Sequence, residues 1–329
     1  MMNYIARRLL FAIPTLIAIS ILSFVIIQLP PGDYLDQKIA QLEQQYGDSS
    51  SMAQADQLRK HYGLDKPLPV RYVKWVSGFV HGDFGESFRY EKPVNELIWE
   101  RLAYTLMLSI GSLFFTYMMA IPIGIYSASH KYDWKDNTLT FLAFFGMSLP
   151  GFLIALLIIV AVYKIMGVPL FGLFSPFYMN QGAWSWGKLM DLINHLWVPL
   201  LVISVNGTAA LVRVMRGNLL DVLGEPFVRT ARAKGLKESV VLIKHASRIA
   251  INPLISMLGM SLPDILSGTT IVSIVLNLPT VGPLLLQALQ DEDMYLAGTI
   301  IVFMSMLLII GNLLADIALA WVDPRIRYE

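Results

Sequence analysis

The sequence predicts an all-α membrane protein. Of its 329 residues 55% are hydrophobic and only 15% charged, and the mean hydropathy is +0.57, which is too apolar for a soluble fold of this size. Apolar stretches of membrane-crossing length recur, separated by polar segments of which several are basic. The element order follows from these stretches.

The first candidate span is Leu9 to Leu29, uncharged over 21 residues. At about 1.5 Å per helical residue it crosses a hydrocarbon core of about 30 Å. Arg7 and Arg8 precede it as a signal sequence would require. The apolar run is too long for a cleaved signal, and Gln28-Leu29-Pro30-Pro31-Gly32 lacks a small-residue cleavage pattern, so it reads as a retained signal-anchor helix. The same length argues against a twin-arginine export signal. Further spans are expected at about Leu102 to Ser127, Thr138 to Val162, Leu196 to Val212, Pro253 to Leu276 and Tyr295 to Val322, making six.

Orientation follows from basic residues. Arg213 to Arg248 holds eight Lys or Arg against three acids, and Pro30 to Trp99 holds eight against ten. The positive-inside rule then puts both termini and the Asp221–Pro253 segment in the cytoplasm and the long first loop outside. Positive-inside topology accounts for the basic segment, so neither nucleic acid nor a dedicated lipid site is inferred from it. The expected organisation is a tip and first helix over 1–29, an external loop region over 30–101, a five-helix core over 102–322 with a cytoplasmic segment at 221–252, and a tail at 323–329.

Within the external loop, Gln37 to Gln57 is polar and reads as an exposed helix or linker. Val73, Val76 and Val80 recur at helical spacing, Gly82-Asp83-Phe84-Gly85 reads as a turn, and Pro93 opens the next helix. The chain has no cysteine, which excludes disulfides and thiolate metal sites. His61, His81, His130, His195 and His245 have no ligand-like spacing, so no metal site is expected.

The segment from Asp221 to Pro253 interrupts the apolar pattern with two short amphipathic helices. Glu225-Pro226 is a helix start, because proline at the first helical position loses only an N–H that has no partner there. Lys234-Gly235 is a stop, with a basic residue near the negative helix end and a glycine able to turn left-handed. A second helix begins after Lys237-Glu238-Ser239 and runs to Asn252-Pro253. Capped helices of this kind also occur in ordinary loops.

Ordered motifs along nearly the whole chain resemble one family. They are Tyr4-Ile5-Ala6-Arg7-Arg8-Leu9-Leu10 with Pro14-Thr15 and Pro31-Gly32-Asp33, then Tyr62-Gly63-Leu64-Asp65-Lys66-Pro67-Leu68 and Gly82-Asp83-Phe84-Gly85-Glu86-Ser87-Phe88. After these come Pro93-Val94, Glu100-Arg101-Leu102, Gly146-Met147-Ser148-Leu149-Pro150-Gly151-Phe152, and Val322-Asp323-Pro324-Arg325-Ile326-Arg327. The set resembles the membrane subunit of bacterial binding-protein-dependent ABC importers of the dipeptide/oligopeptide/nickel class.

That resemblance implies a type I importer permease fold in the inner membrane and a cytoplasmic helix that docks on an ATPase. Residues Glu225, Pro226, Phe227, Val228, Arg229, Thr230, Ala231, Ala233 and Gly235 take that coupling role. The family's Glu-Ala-Ala falls here on Arg229-Thr230-Ala231, so a glutamate-mediated contact is not implied. The implied partners are a second, similar permease subunit, two ATPase subunits that bind ATP and Mg, and a periplasmic or lipid-anchored substrate-binding protein. No Gly-x-x-x-x-Gly-Lys-Ser/Thr phosphate cradle occurs in this chain, so it carries no nucleotide cofactor of its own.

The pathway is expected near Asp264, since an ionisable residue at mid-span is costly in lipid. Pro263 beside it frees a backbone carbonyl, and Ser267, Thr269 and Thr270 add hydroxyls; Ser148 is a further candidate. Asp264 equally suits a hydrogen bond to a neighbouring subunit. Asn312 and Asp316, one turn apart on one face of the last span, are weaker candidates, because Asp316 near the inner end suits pairing with a basic residue there. A Ser148–His195 hydrolase lacks any oxyanion site, and an ion-coupled transporter lacks internal repeats. Oligopeptides are the default cargo of the class, with oligosaccharides, opines and metal chelates as alternatives.

Overall fold

A computed structural model describes residues 2–29, 57, 60, 63, 65–167, 171–179 and 181–322 of the chain, with the side chains of 2–4, 166, 259–268, 315 and 318–322 excepted. The motif residues at 31–33, Tyr62, Leu64 and 323–327, and the polar stretch from Gln37 apart from Gln57 itself, lie outside the described residues. Among the described residues the regular secondary structure is helical except for one two-stranded antiparallel hairpin, β1 (Glu86–Ser87) with β2 (Lys92–Pro93), in which Glu86 pairs with Pro93 and Ser87 with Lys92.

In chain order the helices are α1 (Met2–Ile27), α2 (Leu68–His81), α3 (Val94–Ser129), α4 (Trp134–Ser148), α5 (Gly151–Met166), α6 (Pro176–Met179), α7 (Trp186–Leu223) and α8 (Pro226–Ala233). They continue with α9 (Glu238–Val240), a π-helical turn (Val241–Ala246), α10 (Ser247–Ala250), α11 (Asn252–Val275), α12 (Val281–Gln290) and α13 (Met294–Val322). Four described stretches, Ile5–Ile27, Val94–Ser129, Trp186–Leu223 and Met294–Leu314, are long and apolar enough to cross a membrane. They fall on the first, second, fourth and sixth expected spans. α11 falls on the fifth.

The third expected span, Thr138 to Val162, is not a straight helix. α4 and α5 meet at a 105° bend across Leu149-Pro150. Pro150 supplies no N–H and disfavours helical backbone at Leu149, which is extended (φ −94°, ψ 130°). The fourth span is longer than expected, because Ser185 caps α7 ten residues before the apolar run, its side chain accepting from the Lys188 N–H at 3.1 Å.

The chain divides into two compact units. One comprises residues 105–279 and 310–329 with Met1. Its centre is α7, against which α4, α5 and α11 pack. Gly124 on α3 is a close approach, since a Cβ there would lie 2.6 Å from that of Met215 on α7; small residues let backbones approach in this way within membranes. Asp136, at the start of α4, is buried and takes two hydrogen bonds from the Arg216 guanidinium on α7 (2.9 and 2.7 Å), one from the Tyr132 N–H (2.9 Å) and one from Ser127.

The other unit comprises residues 2–104 and 280–309. Here α2 ends at Gly82, left-handed at φ 72°, as the expected turn requires. Its buried face differs from the expected valine stripe. Val73 and Val80 are exposed, and Arg71 and Trp75 are buried instead. Trp75 packs on Phe24, Tyr72 and Phe79 and donates its indole N–H to the Thr299 hydroxyl at 3.3 Å. Ring area outweighs the valines in selecting the inward face. Asp293 caps α13 by accepting from the Leu296 N–H at 3.1 Å, and receives the Ser87 hydroxyl at 2.5 Å.

Candidate functional site

The Asp221–Pro253 segment is built as its sequence suggests at both ends of α8. Glu225 is extended (φ −70°, ψ 148°) and Pro226 occupies the first turn. At the other end Gly235 is left-handed at φ 74°. The Gly235 N–H reaches the Arg232 carbonyl (2.9 Å) and the Leu236 N–H the Ala231 carbonyl (3.4 Å), the paired bonds of a Schellman stop. Across the exit, Arg232 makes a two-pronged pair with Glu238 at 3.1 and 2.6 Å, and this bond holds the Glu238 carboxyl below its ordinary range.

Burial divides the residues of α8 into two sets. Val228 is fully buried and Ala231 nearly so, in a core with Met215, Leu219, Val241, Ala246 and Leu254. They anchor the helix to its own spans. Val228 and Ala231, two of the residues expected to take the coupling role, therefore face the chain's own core; their i, i+3 spacing turns both inward. Glu225, Pro226, Phe227, Arg229, Thr230, Arg232, Ala233, Lys234 and Gly235 are exposed. Phe227 is the one large apolar side chain on that face.

The π-helical turn Val241–Ala246 packs on α8 and was not legible in the sequence. Its wider winding places Val241 and Ala246, five residues apart, on the same buried side. The Ser247 hydroxyl donates five residues back to the Leu242 carbonyl at 2.7 Å. The only sequence trace is the small-residue repeat Ala246-Ala250 facing the same core.

Of the expected pathway residues, Ser148, Thr269 and Thr270 have described side chains. The side chains of Asp264 and Ser267 lie outside the described residues. Thr269 is buried and Thr270 half-buried. Ser148 is exposed, its hydroxyl turned back to the Phe144 carbonyl at 2.8 Å. His195 likewise bonds within its own helix, to the Asp191 carbonyl at 2.7 Å, so neither residue engages the other. What the bend at Pro150 does create is a cavity of about 480 Å³ between α3, the start of α5, α7 and α11. Broken backbone at membrane depth is tolerated where it lines such a space.

Comparison with known proteins gives the family and the fold. Residues 120–328 match the family described as binding-protein-dependent transport system inner membrane component, and residues 1–109 match its N-terminal companion. The chain belongs to this family of ABC importer permeases. It is a transport component and a multi-pass inner-membrane protein. Among its relatives, the oligopeptide transport system permease protein AppB of Bacillus subtilis is 38% identical, with all of both chains covered. A putative peptide permease protein of Brucella ovis is 35% identical over 99% of each chain, and the glutathione transport system permease protein GsiC of Pectobacterium atrosepticum is 32% identical over the whole of both. A chain of the MetNI methionine ABC transporter, solved in inward facing conformations, superposes with a TM-score of 0.54 at 16% identity, covering 69% of this chain and 96% of that one. That likeness establishes a type I importer permease fold.

Proposed function

We propose that this chain is the permease subunit of an ATP-driven, binding-protein-dependent importer of oligopeptides, and that Glu225–Gly235 is where it receives the work of ATP hydrolysis. The observation that carries the reading is the division of α8 into an anchored face, Val228 and Ala231, and an exposed face led by Phe227, Arg229 and Thr230. A short helix transmits force when one side is fixed to the spans and the other is free to be gripped. The rigid stop at Gly235 and the Arg232–Glu238 clasp keep it from rotating.

The partners in this reading are two ATPase subunits that bind ATP and Mg, a second, similar permease subunit, and an external substrate-binding protein. Both termini lie in the cytoplasm. Closure of the ATPases moves α8, and the spans reorient around a path that opens alternately to each side. The peptide cargo is supported by relatives named for oligopeptides, peptides and glutathione. The test is uptake of a labelled oligopeptide by sealed proteoliposomes holding the permease pair and ATPases, with binding protein present. Uptake that needs ATP and binding protein supports the proposal. Uptake driven by an ion gradient without ATP overturns it.

A further inference from the structure

Asn206 sits near the middle of α7, twenty residues from Trp186 and seventeen from Leu223. It lines the 480 Å³ cavity with Thr116, Pro150, Phe152, Gly207 and Met257, and it is exposed within that space. Its amide offers two N–H donors and a carbonyl with two lone pairs, and none has a hydrogen-bond partner among the described residues. An amide left so in hydrocarbon costs several kcal/mol, the same penalty that keeps polar groups out of lipid. The position is therefore one that water or a polar cargo reaches.

We propose that Asn206 is a cargo subsite on the translocation path, pairing with the backbone amide of an oligopeptide as it passes. This rests on the peptide-import reading above. A side-chain amide and a peptide group carry the same donor and acceptor, so the two form a matched pair whatever the neighbouring side chains are. Apart from the Thr116 hydroxyl, the remaining described walls, such as Pro150, Phe152, Val202 and Met257, are apolar, and none is charged; they accept varied side chains without selecting among them. One neutral hydrogen bond is also weak enough for release, as a conduction site requires. The cavity volume lies in the range of small-molecule sites.

The chain has no cysteine, so N206C gives this subunit a single thiol, and the wild-type assembly is the background control. It is expected to react with a small hydrophilic thiol reagent in at least one nucleotide state and to be protected by transported peptide. Absence of reaction in every state overturns the subsite. The second measurement compares uptake of tetra-alanine with uptake of the same peptide N-methylated at one central bond, by the wild type and by N206A. Because the binding protein is common to both, its own preference cancels. N-methylation is expected to slow the wild type about two- to tenfold more than N206A, the worth of one neutral hydrogen bond. An equal N-methyl penalty in both overturns the subsite alone. A wild type that imports no peptide while N206C reacts overturns the peptide reading and this cargo assignment together. Loss of subunit co-purification in N206L also overturns the proposal, because it gives Asn206 to a subunit contact.

Discussion

Replacing Gly235 with valine isolates the mechanical role of α8. Gly235 stands at φ 74°, and a Cβ built there meets nothing within 4 Å, so the added Cβ introduces no clash. Its cost is conformational. An L-residue held left-handed costs about 1–2 kcal/mol, and a β-branched one belongs at the upper end. That is comparable to the roughly 1.5–3 kcal/mol by which burial of Val228 holds the helix down. The turn relaxes by giving up the Gly235–Arg232 and Leu236–Ala231 bonds, and α8 loses its fixed orientation while the spans stay inserted. One to two kcal/mol lowers the population of the rigid geometry by a factor of about 5–30. The assay is binding-protein-stimulated ATP hydrolysis and uptake in proteoliposomes, with expression and subunit co-purification as controls. G235V is expected to lose most of the stimulation. G235N is expected to keep it, because asparagine tolerates the left-handed region. Unchanged stimulation in G235V, or equal loss in G235N, would refute the reasoning.

Truncating the anchor tests the same helix from its buried side: V228A removes about 1.6 kcal/mol of burial at ~0.8 kcal/mol per methylene, and should lower coupling; equal stimulation in wild type and V228A would contradict the anchoring role. For the Asp136–Arg216 pair, D136N leaves a guanidinium without its counter-charge in a largely buried site, worth roughly 3 kcal/mol; the detergent-purified protein should melt several degrees lower, and a paired D136L/R216M variant should recover much of the loss. The Arg232–Glu238 clasp is exposed on both sides, so E238Q should change stability by less than about 1 kcal/mol, and by still less in 1 M salt. Because the folded Glu238 pKa is depressed, its contribution is present above the ordinary carboxylate pKa and fades as pH falls through the folded value. A wild-type minus E238Q difference in melting temperature that grows on acidification would be the wrong sign.

Much of the molecule was legible because its signals are local. Uncharged runs locate membrane spans whatever surrounds them, since the bilayer fixes both length and polarity. Pro226 and Gly235 mark the ends of α8 because each restricts or frees its own backbone dihedral. What could not be read were choices between faces. The expected stripe Val73-Val76-Val80 had a valid helical period, yet Trp75 took the interior because Phe24 and Thr299, distant in sequence, supply its partners. Likewise Val228 and Ala231 read as contact residues until the core formed by Met215, Val241 and Leu254 claimed them.

The sequence by itself determined the helical membrane class, the position of the first two spans, the two ends of α8 and, through its ordered motifs, the family. Only the tertiary structure decided that the third span breaks by 105° at Pro150, that α8 is pinned by two of its residues, and that Asn206 opens on a cavity with no hydrogen-bond partner among the described residues. The physical reason is range. Hydropathy, proline and glycine act within a few residues, whereas burial and hydrogen-bond satisfaction depend on which distant helices arrive alongside.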